Sequence, residues 1–391
     1  VNPANGGPIN FLAEMSGYQD ELGFKMEVVC LDTPEQAKLS RLECAVHPTG
    51  PSMPGYGFTP RFVAWLSQHA SDYDVVLLHG IWQFASFGTW MVLNHKRPPY
   101  AVYPHGMLDP WFNETYPLKR LKKMLYWPWA EYRVLRDARA VLFTSEEERE
   151  LARHSFRPYR CNEVVAGFGS PEPTGDLANL STLFLNEFPR LRQKRLLLYC
   201  GRLHPKKGVD LLLEAFAHTA AGHPELELVL AGPCSQQYRN ELSRLVNRLP
   251  GPAREQVTWT GMLVDNLKWG AFASANAFIL PSHQENFAVS MSEALSCGTP
   301  VLITKRVNTW RAVAQYDAGL VESDDSEGIL NLCKHWVELS PVRLSELKAN
   351  ARRCYLENFE MRSYLQRLLG LLAGYSSEVL DSTMAGKEYS E

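Results

Sequence analysis

Along most of the chain, short apolar runs alternate with stretches whose apolar positions recur every three or four residues, the pattern of buried strands separated by helices. Such alternation argues for parallel sheets with helices on both faces. In the first half Met26–Leu31, Val75–His79, Tyr100–Pro104, Ala140–Thr144 and Glu163–Val165 predict strands, and Pro8–Gly17, Pro60–His69 and Leu118–Leu135 predict helices. The strands run out into small or polar residues such as His79-Gly80, His105-Gly106 and Thr144-Ser145. Ligands of open α/β sheets bind at those carboxyl ends, so the chemistry is sought there.

The pattern breaks from Ser170 to Gln193, where Pro171, Pro173 and Gly175 stand among polar residues and a short helical stretch ends near Pro189. It resumes with strands at Arg195–Cys200, Leu226–Ala231, Val257–Thr260, Ala277–Leu280 and Pro300–Ile303, separated by helices at Val209–Thr219, Gln237–Leu249, Asn266–Ser274 and Ala288–Cys297. The division expected is one α/β domain over 1–170, a linker over 171–194, a second α/β domain over 195–355, and a segment 356–391 that can cross back to the first. A helix is expected from Leu344 to Leu372.

Composition narrows the function. Of 391 residues, 45% are hydrophobic and 21% charged, with a formal net charge of -3. That is a globular chain with no global attraction for nucleic acid. Eight scattered cysteines, none in a CxxC pair, read as free thiols of a reducing compartment. No apolar run is long enough for a membrane span and no signal peptide is evident, so the expected location is cytoplasmic. The chain opens at Val1 without a methionine, and we expect its true start to lie upstream.

Two segments carry candidate chemistry. In Pro281–Ala294 a strand end passes through a turn into a helix starting near Phe287, whose first amides and dipole make an anion site at Phe287, Ala288 and Val289. Glu285 precedes that helix and Glu293 lies two turns along it, each able to accept hydrogen bonds from sugar or ribose hydroxyls. The plain alternative is a Ser282-x-x-Glu285 capping box with Glu293 as a solvated acid. After the strand Arg195–Cys200, the loop Gly201–Gly208 brings Arg202 and Lys207 to the same edge, where both can converge on a diphosphate. Ser145-Glu146-Glu147-Glu148 reads as a capping box with no chemistry assigned.

Gly201-Arg202…Lys207-Gly208, Leu230-Ala231-Gly232, Pro281-Ser282-x-x-Glu285-x-Phe287 and Glu293-Ala294-x-x-x-Gly298-x-Pro300-Val301 together resemble glycosyltransferase family 4, as do Gly6-Gly7-Pro8 and Pro104-His105-Gly106. The resemblance spans most of the chain. It implies the α/β GT-B fold, two Rossmann-like domains with an interdomain cleft, and a retaining, nucleotide-sugar-dependent hexosyltransferase. It implies that Arg202 and Lys207 hold the donor diphosphate, that the amides of Phe287, Ala288 and Val289 meet the distal phosphate, and that Asn286 is a further donor-binding residue. Glu293 would bind the ribose, Glu285 the donor sugar, the backbone at Gly261-Met262 the base, and Gly6-Gly7 the phosphates. His105 would sit by the anomeric carbon, with His79 an acceptor-side candidate. Two departures stand out: Asn286 and Ala288 replace the family's frequent glycines, and the strand that usually precedes the Gly6-Gly7 loop is missing.

The resemblance leaves UDP-glucose as the first expectation for the donor and GDP-mannose as the second, with a sugar-nucleotide epimerase or hydrolase as a further alternative. No metal-ligand spacing is convincing, and Asp324-Asp325 reads as a solvated turn; we expect metal-independent transfer without a cofactor. No carboxylate stands out as a covalent nucleophile, which favours a same-face mechanism. The acceptor expected is a saccharide or lipid-linked saccharide of polysaccharide biosynthesis. Lys119, Arg120, Lys122 and Lys123 among Trp111, Phe112, Tyr126, Trp127 and Trp129 suggest peripheral contact with the inner face of the plasma membrane.

Overall fold

The computed structural model describes residues 7–385, with side chains as far as Tyr375. The chain forms two compact units, one of the residues up to Gly169 together with those from Met361 onward, the other of Ser170–Glu360.

The second unit is built on a six-stranded parallel sheet. Its strands are β7 (Arg195–Cys200), β8 (Leu226–Ala231), β9 (Val257–Gly261), β10 (Ala277–Leu280), β11 (Val301–Thr304) and β12 (Gly319–Glu322), in the order β12-β11-β10-β7-β8-β9. This is the doubly wound order of a Rossmann sheet, and its direction reverses between β7 and β10. Strands covered on both faces need no polar side, and all the residues of β8, β10 and β11 are buried. Glu227 of β8 is buried with them because Arg190 Nη2 at 2.7 Å and Thr258 Oγ1 at 2.5 Å both donate to Oε1.

The short helical stretch expected within 171–194 is the helix Leu177–Glu187, capped by Asp176 and packed on the helix Asp265–Ser274, so the segment expected as a linker is part of the second unit. A Cβ on Gly270 would lie 2.3 Å from the carbonyl oxygen of Leu180, so the two backbones meet where only glycine fits. Leu180 and Phe184 are buried there. Proline and glycine near Ser170 mark the exit from the first unit, and the helix behind them is core.

The first unit holds a two-stranded sheet of β1 (Glu27–Cys30) and β2 (Ala45–Pro48), and a four-stranded sheet of β3 (Val76–His79), β4 (Tyr100–Tyr103), β5 (Ala140–Phe143) and β6 (Glu163–Val165). All pairs are parallel. Its core gathers Phe62, Leu66, Phe84, Leu93, Trp127 and Phe156. The helix expected over Leu118–Leu135 is two, Pro117–Tyr126 and Glu131–Asp137. Pro128 cannot donate to the helix, and Trp127 turns inward to give its indole N–H to the carbonyl of Pro158 at 2.7 Å. The helix expected from Leu344 is likewise two, Pro341–Asn358 and Met361–Ala385. It parts at Phe359, which is buried and whose carbonyl accepts from Ser170 N at 2.9 Å.

Candidate active site

The strongest cluster lies at the carboxyl ends of β7 and β10, where the sheet order reverses. The loop after β7 is tied down by Leu203 N donating to Pro233 O at 2.9 Å and the Tyr199 hydroxyl donating to Arg202 O at 2.9 Å. Gly208 closes it with φ of 63°, and a Cβ there would lie 2.2 Å from the carbonyl oxygen of Pro281. That close approach lets His283 N donate to Lys206 O at 3.0 Å and brings Lys207 under the loop after β10.

Lys207 Nζ forms an ion pair with Glu285 Oε2. Burial lowers the Lys207 pKa to about 7, with Lys206 and Arg202 adding repulsion. Arg202 is exposed, and its charge also reaches His204. Glu285 is held extended, its N–H on Arg306 O at 2.9 Å and its carbonyl accepting from Asn308 N at 3.0 Å. It is therefore no capping residue: Ala288 is the N-cap of the helix Val289–Ser296, three positions later. Ala288 sits at φ 60° and ψ 66°, a left-handed conformation costly for any residue with a Cβ. The turn is braced by Thr309 Oγ1 on Phe287 O at 3.3 Å, Asn308 Nδ2 on Asn286 Oδ1 at 3.3 Å, and the Phe287 ring against Phe359.

Glu293 is not a solvated acid. It is 6% exposed, and Lys268 Nζ lies 2.7 Å from its Oε1. Burial raises its pKa and Lys268 opposes the rise. Gly261, at φ 74°, accepts from Gly232 N at 2.7 Å, and Met262 beside it is 68% exposed. The geometry thus joins Lys207 to Glu285 directly and gives Glu293 a separate partner, Lys268. The acids at 324 and 325 are structural: Asp324 meets His283 and Arg306, and Asp325 caps the helix Ser326–Glu338. Among the described residues no group of three His, Cys, Asp or Glu side chains is placed to hold a metal ion.

In the first unit, His79 at the end of β3 and His105 just beyond β4 stack, with His79 Nδ1 2.9 Å from His105 Nε2. Burial lowers the pKa of His79 to about 4, and burial with the neighbouring His79 lowers that of His105 strongly. Both imidazoles are neutral at pH 7. His105 has φ of 52°, and the next residue, Gly106, φ of 73°. Gly7 opens the helix Gly7–Ser16, whose Phe11 ring is 6.0 Å from that of His79; Gly6 lies outside the described residues.

Two family models cover both units: "Glycosyl transferase 4-like domain" matches residues 6–166 and "Glycosyl transferases group 1" residues 185–353. The chain belongs to glycosyltransferase family 4, of the GT-B fold. The chain is 30% identical over 251 residues to a D-inositol 3-phosphate glycosyltransferase of Rhodococcus opacus, covering 62% of the chain and 54% of the relative. It is 27% identical over 179 residues to a GDP-mannose-dependent alpha-(1-6)-phosphatidylinositol dimannoside mannosyltransferase of Mycobacterium tuberculosis, covering 46% of the chain and 43% of the relative. The matches thus span about half the length of these curated relatives. Among solved structures, sucrose-phosphate synthase from Thermosynechococcus elongatus superimposes with a TM-score of 0.74 at 18% identity, covering 95% of this chain and 94% of that one. HepE from Anabaena, solved with UDP and glucose, does so with 0.71 at 19% identity, covering 94% and 96%.

Three supporting residues of this family member were not legible as such in the sequence. Lys268, partner of Glu293, stands in a helix with no motif to mark it. Glu148 gives its N–H to Ser145 Oγ at 3.1 Å as a cap should, but its carboxylate accepts from Gly106 N at 2.5 Å and from Thr144 N and Oγ1 at 2.7 and 2.6 Å. It clamps the His105-Gly106 turn. Glu131, fully buried, accepts from Trp82 N and Ser86 Oγ, both at 2.7 Å. An acid in the first turn of a helix after a strand end was the available signal for Glu148.

Proposed function

We propose that this protein is a retaining hexosyltransferase that moves a sugar from a nucleotide donor to a saccharide or lipid-linked saccharide acceptor of polysaccharide biosynthesis. The observation that carries the reading is the pairing of Lys207 with Glu285 at the topological switch point, beside Arg202 and the N-terminus of the helix Val289–Ser296. A donor diphosphate replaces Glu285 as partner of Lys207, which frees that carboxylate for sugar hydroxyls. Arg202, Lys207 and the amides of Ala288 and Val289 then stabilise the leaving diphosphate without calling on a metal ion. Glu293, oriented by Lys268, takes the ribose. The departing phosphate accepts the acceptor's proton on the same face, and His105, neutral and held by its turn, hydrogen-bonds a sugar hydroxyl.

UDP-glucose is the first choice of donor, supported by HepE having been solved with UDP-glucose. GDP-mannose is the second, supported by the named donor of the mannosyltransferase relative. Glu285→Gln and Arg202→Ala each lower turnover at least tenfold, ~1.4 kcal/mol in barrier. Turnover at the wild-type rate in both variants rejects the site. Product from donor alone, without acceptor, selects the epimerase or hydrolase instead.

Peripheral membrane contact at the inner face rests on the helix Pro117–Tyr126. None of its residues is buried, and Leu118, Leu121 and Leu125 are exposed beside Lys119, Arg120 and Lys122. No helix among the described residues is long and apolar enough to cross a membrane. Reversing the charges of Lys119, Arg120 and Lys122 abolishes sedimentation with vesicles of anionic phospholipid; unchanged partitioning rejects the contact.

A further inference from the structure

Lys123 belongs to the same helix but faces a different way. It lines a pocket of about 360 Å³ within the first unit, together with His79, Trp82, Gln83, Ser86 and Phe112. Its ammonium lies 4.5 Å from the centre of the Trp82 ring and 6.0 Å from that of Phe112. It makes no ion pair among the described residues. Glu131, whose charge it feels, is outside ion-pair distance; its Oε1 accepts from Trp82 N and Ser86 Oγ, and its Oε2 is buried with no hydrogen-bond partner among the described residues. Burial, with repulsion from Lys119, lowers the Lys123 pKa to about 8. A cation taken partly out of water without a bonded anion is costly, and a ligand that brings the anion recovers that cost.

The rest of the wall suits a sugar. Trp82 and Phe112 line it with aromatic surface, on whose free edge the apolar side of a pyranose ring can rest beside the Lys123 ammonium. Gln83 and Ser86 are polar, and His79 Nε2 is buried with no hydrogen-bond partner among the described residues. Trp82 itself has φ of 75°, a strained conformation for an aromatic residue, fixed by the bonds of its N–H to Glu131 and its indole N–H to Met107 O at 3.2 Å. The wall is held in place before any ligand arrives.

We propose that this pocket is an acceptor subsite for a saccharide bearing an anionic group, phosphate or carboxylate, with Lys123 as the counter-ion and Trp82 and Phe112 as the ring platform. The proposal rests on the transferase reading above and specifies its acceptor class.

The test is calorimetric titration of the whole chain with glucose 6-phosphate, glucuronate and glucose, for the wild type, Lys123→Gln and Lys123→Arg. At least one anionic sugar binds the wild type about tenfold or more tighter than glucose, and the preference fades at high ionic strength. Binding of only one of the two identifies the anion. Lys123→Gln brings all three sugars within about twofold, while Lys123→Arg, which keeps the charge, keeps the preference. Equal binding of the three sugars by the wild type, or an undiminished preference in Lys123→Gln, overturns the proposal. Thermal shift with UDP-glucose and GDP-mannose runs in parallel. Donor binding without anion preference rejects only the subsite, and anion preference without donor binding rejects the transferase reading on which the acceptor assignment stands.

Discussion

Replacing Glu148 by alanine separates a helix cap from a clamp on the His105 turn. The carboxylate is 2% exposed and accepts from the backbone amides of Gly106 and Thr144 and from the Thr144 hydroxyl. The hydroxyl can rotate to another acceptor, but the two amides cannot follow. Leaving a buried donor unsatisfied costs about 1–3 kcal/mol, so Glu148→Ala is expected to cost roughly 2–6 kcal/mol. For a unit of this size each kcal/mol lowers Tm by roughly 2–4 °C, which puts the fall at about 4–24 °C. The control is Ser145→Ala, which removes the cap alone at about 1 kcal/mol. Differential scanning calorimetry of the two variants is the assay. Equal shifts in both would refute the clamp, since Glu148 would then matter only through its helix. Turnover is a second readout: Glu148→Ala lowers kcat by releasing His105, and Ser145→Ala leaves it unchanged.

Two further outcomes follow from backbone strain and buried charge. Ala288→Gly removes the strain of a left-handed alanine, about 1–2 kcal/mol, against a gain in unfolded-chain entropy of about 0.4–1 kcal/mol. A net stabilisation of ~0.8 kcal/mol should appear in urea unfolding, and a clear loss would contradict the φ of 60° at that position. His79 titrates at about 4 in the folded chain, below the ordinary value of 6.5. Its folded pKa is the depressed one, so its neutral form is tolerated fully above pH 6.5, and stability falls as acid protonates the unfolded chain first, down to about pH 4. The loss attributable to it is about 3 kcal/mol over that window, and His79→Gln should flatten the slope of unfolding free energy against pH. Identical slopes in the two proteins would remove His79 as the cause.

Much of the second unit was legible because its strands are buried on both faces. Arg195–Cys200, Leu226–Ala231 and Ala277–Leu280 are runs that periodicity alone delimits. The half-buried edge strands Ala45–Pro48 and Gly319–Glu322 escaped because short segments at a sheet edge need no continuous apolar run. Within 171–194 the helix is legible but its place in the second unit is not, because the turn residues at the start of the segment mark a boundary and only packing on another helix buries Leu180 and Phe184. Pro128 would have divided the helix expected over Leu118–Leu135, whereas nothing local announces the break at Phe359, which an amide from Ser170 imposes.

The sequence by itself determined the doubly wound class of the second unit, the family, and the candidate donor residues, since Glu285, Lys207 and Arg202 stand in motifs at strand ends. Only the tertiary structure decided what those residues touch. Lys207 reaches Glu285 because Gly208 lets its loop lie against Pro281, and Glu293 is buried because Lys268 comes to it from another helix. Glu148 turned from a cap into a clamp, and Lys123 parted from its basic neighbours to face a pocket. Spacing along a chain records which residues share an element. Partners brought together from separate elements leave no period to read, because the distances that join them exist only once the sheet has set its order.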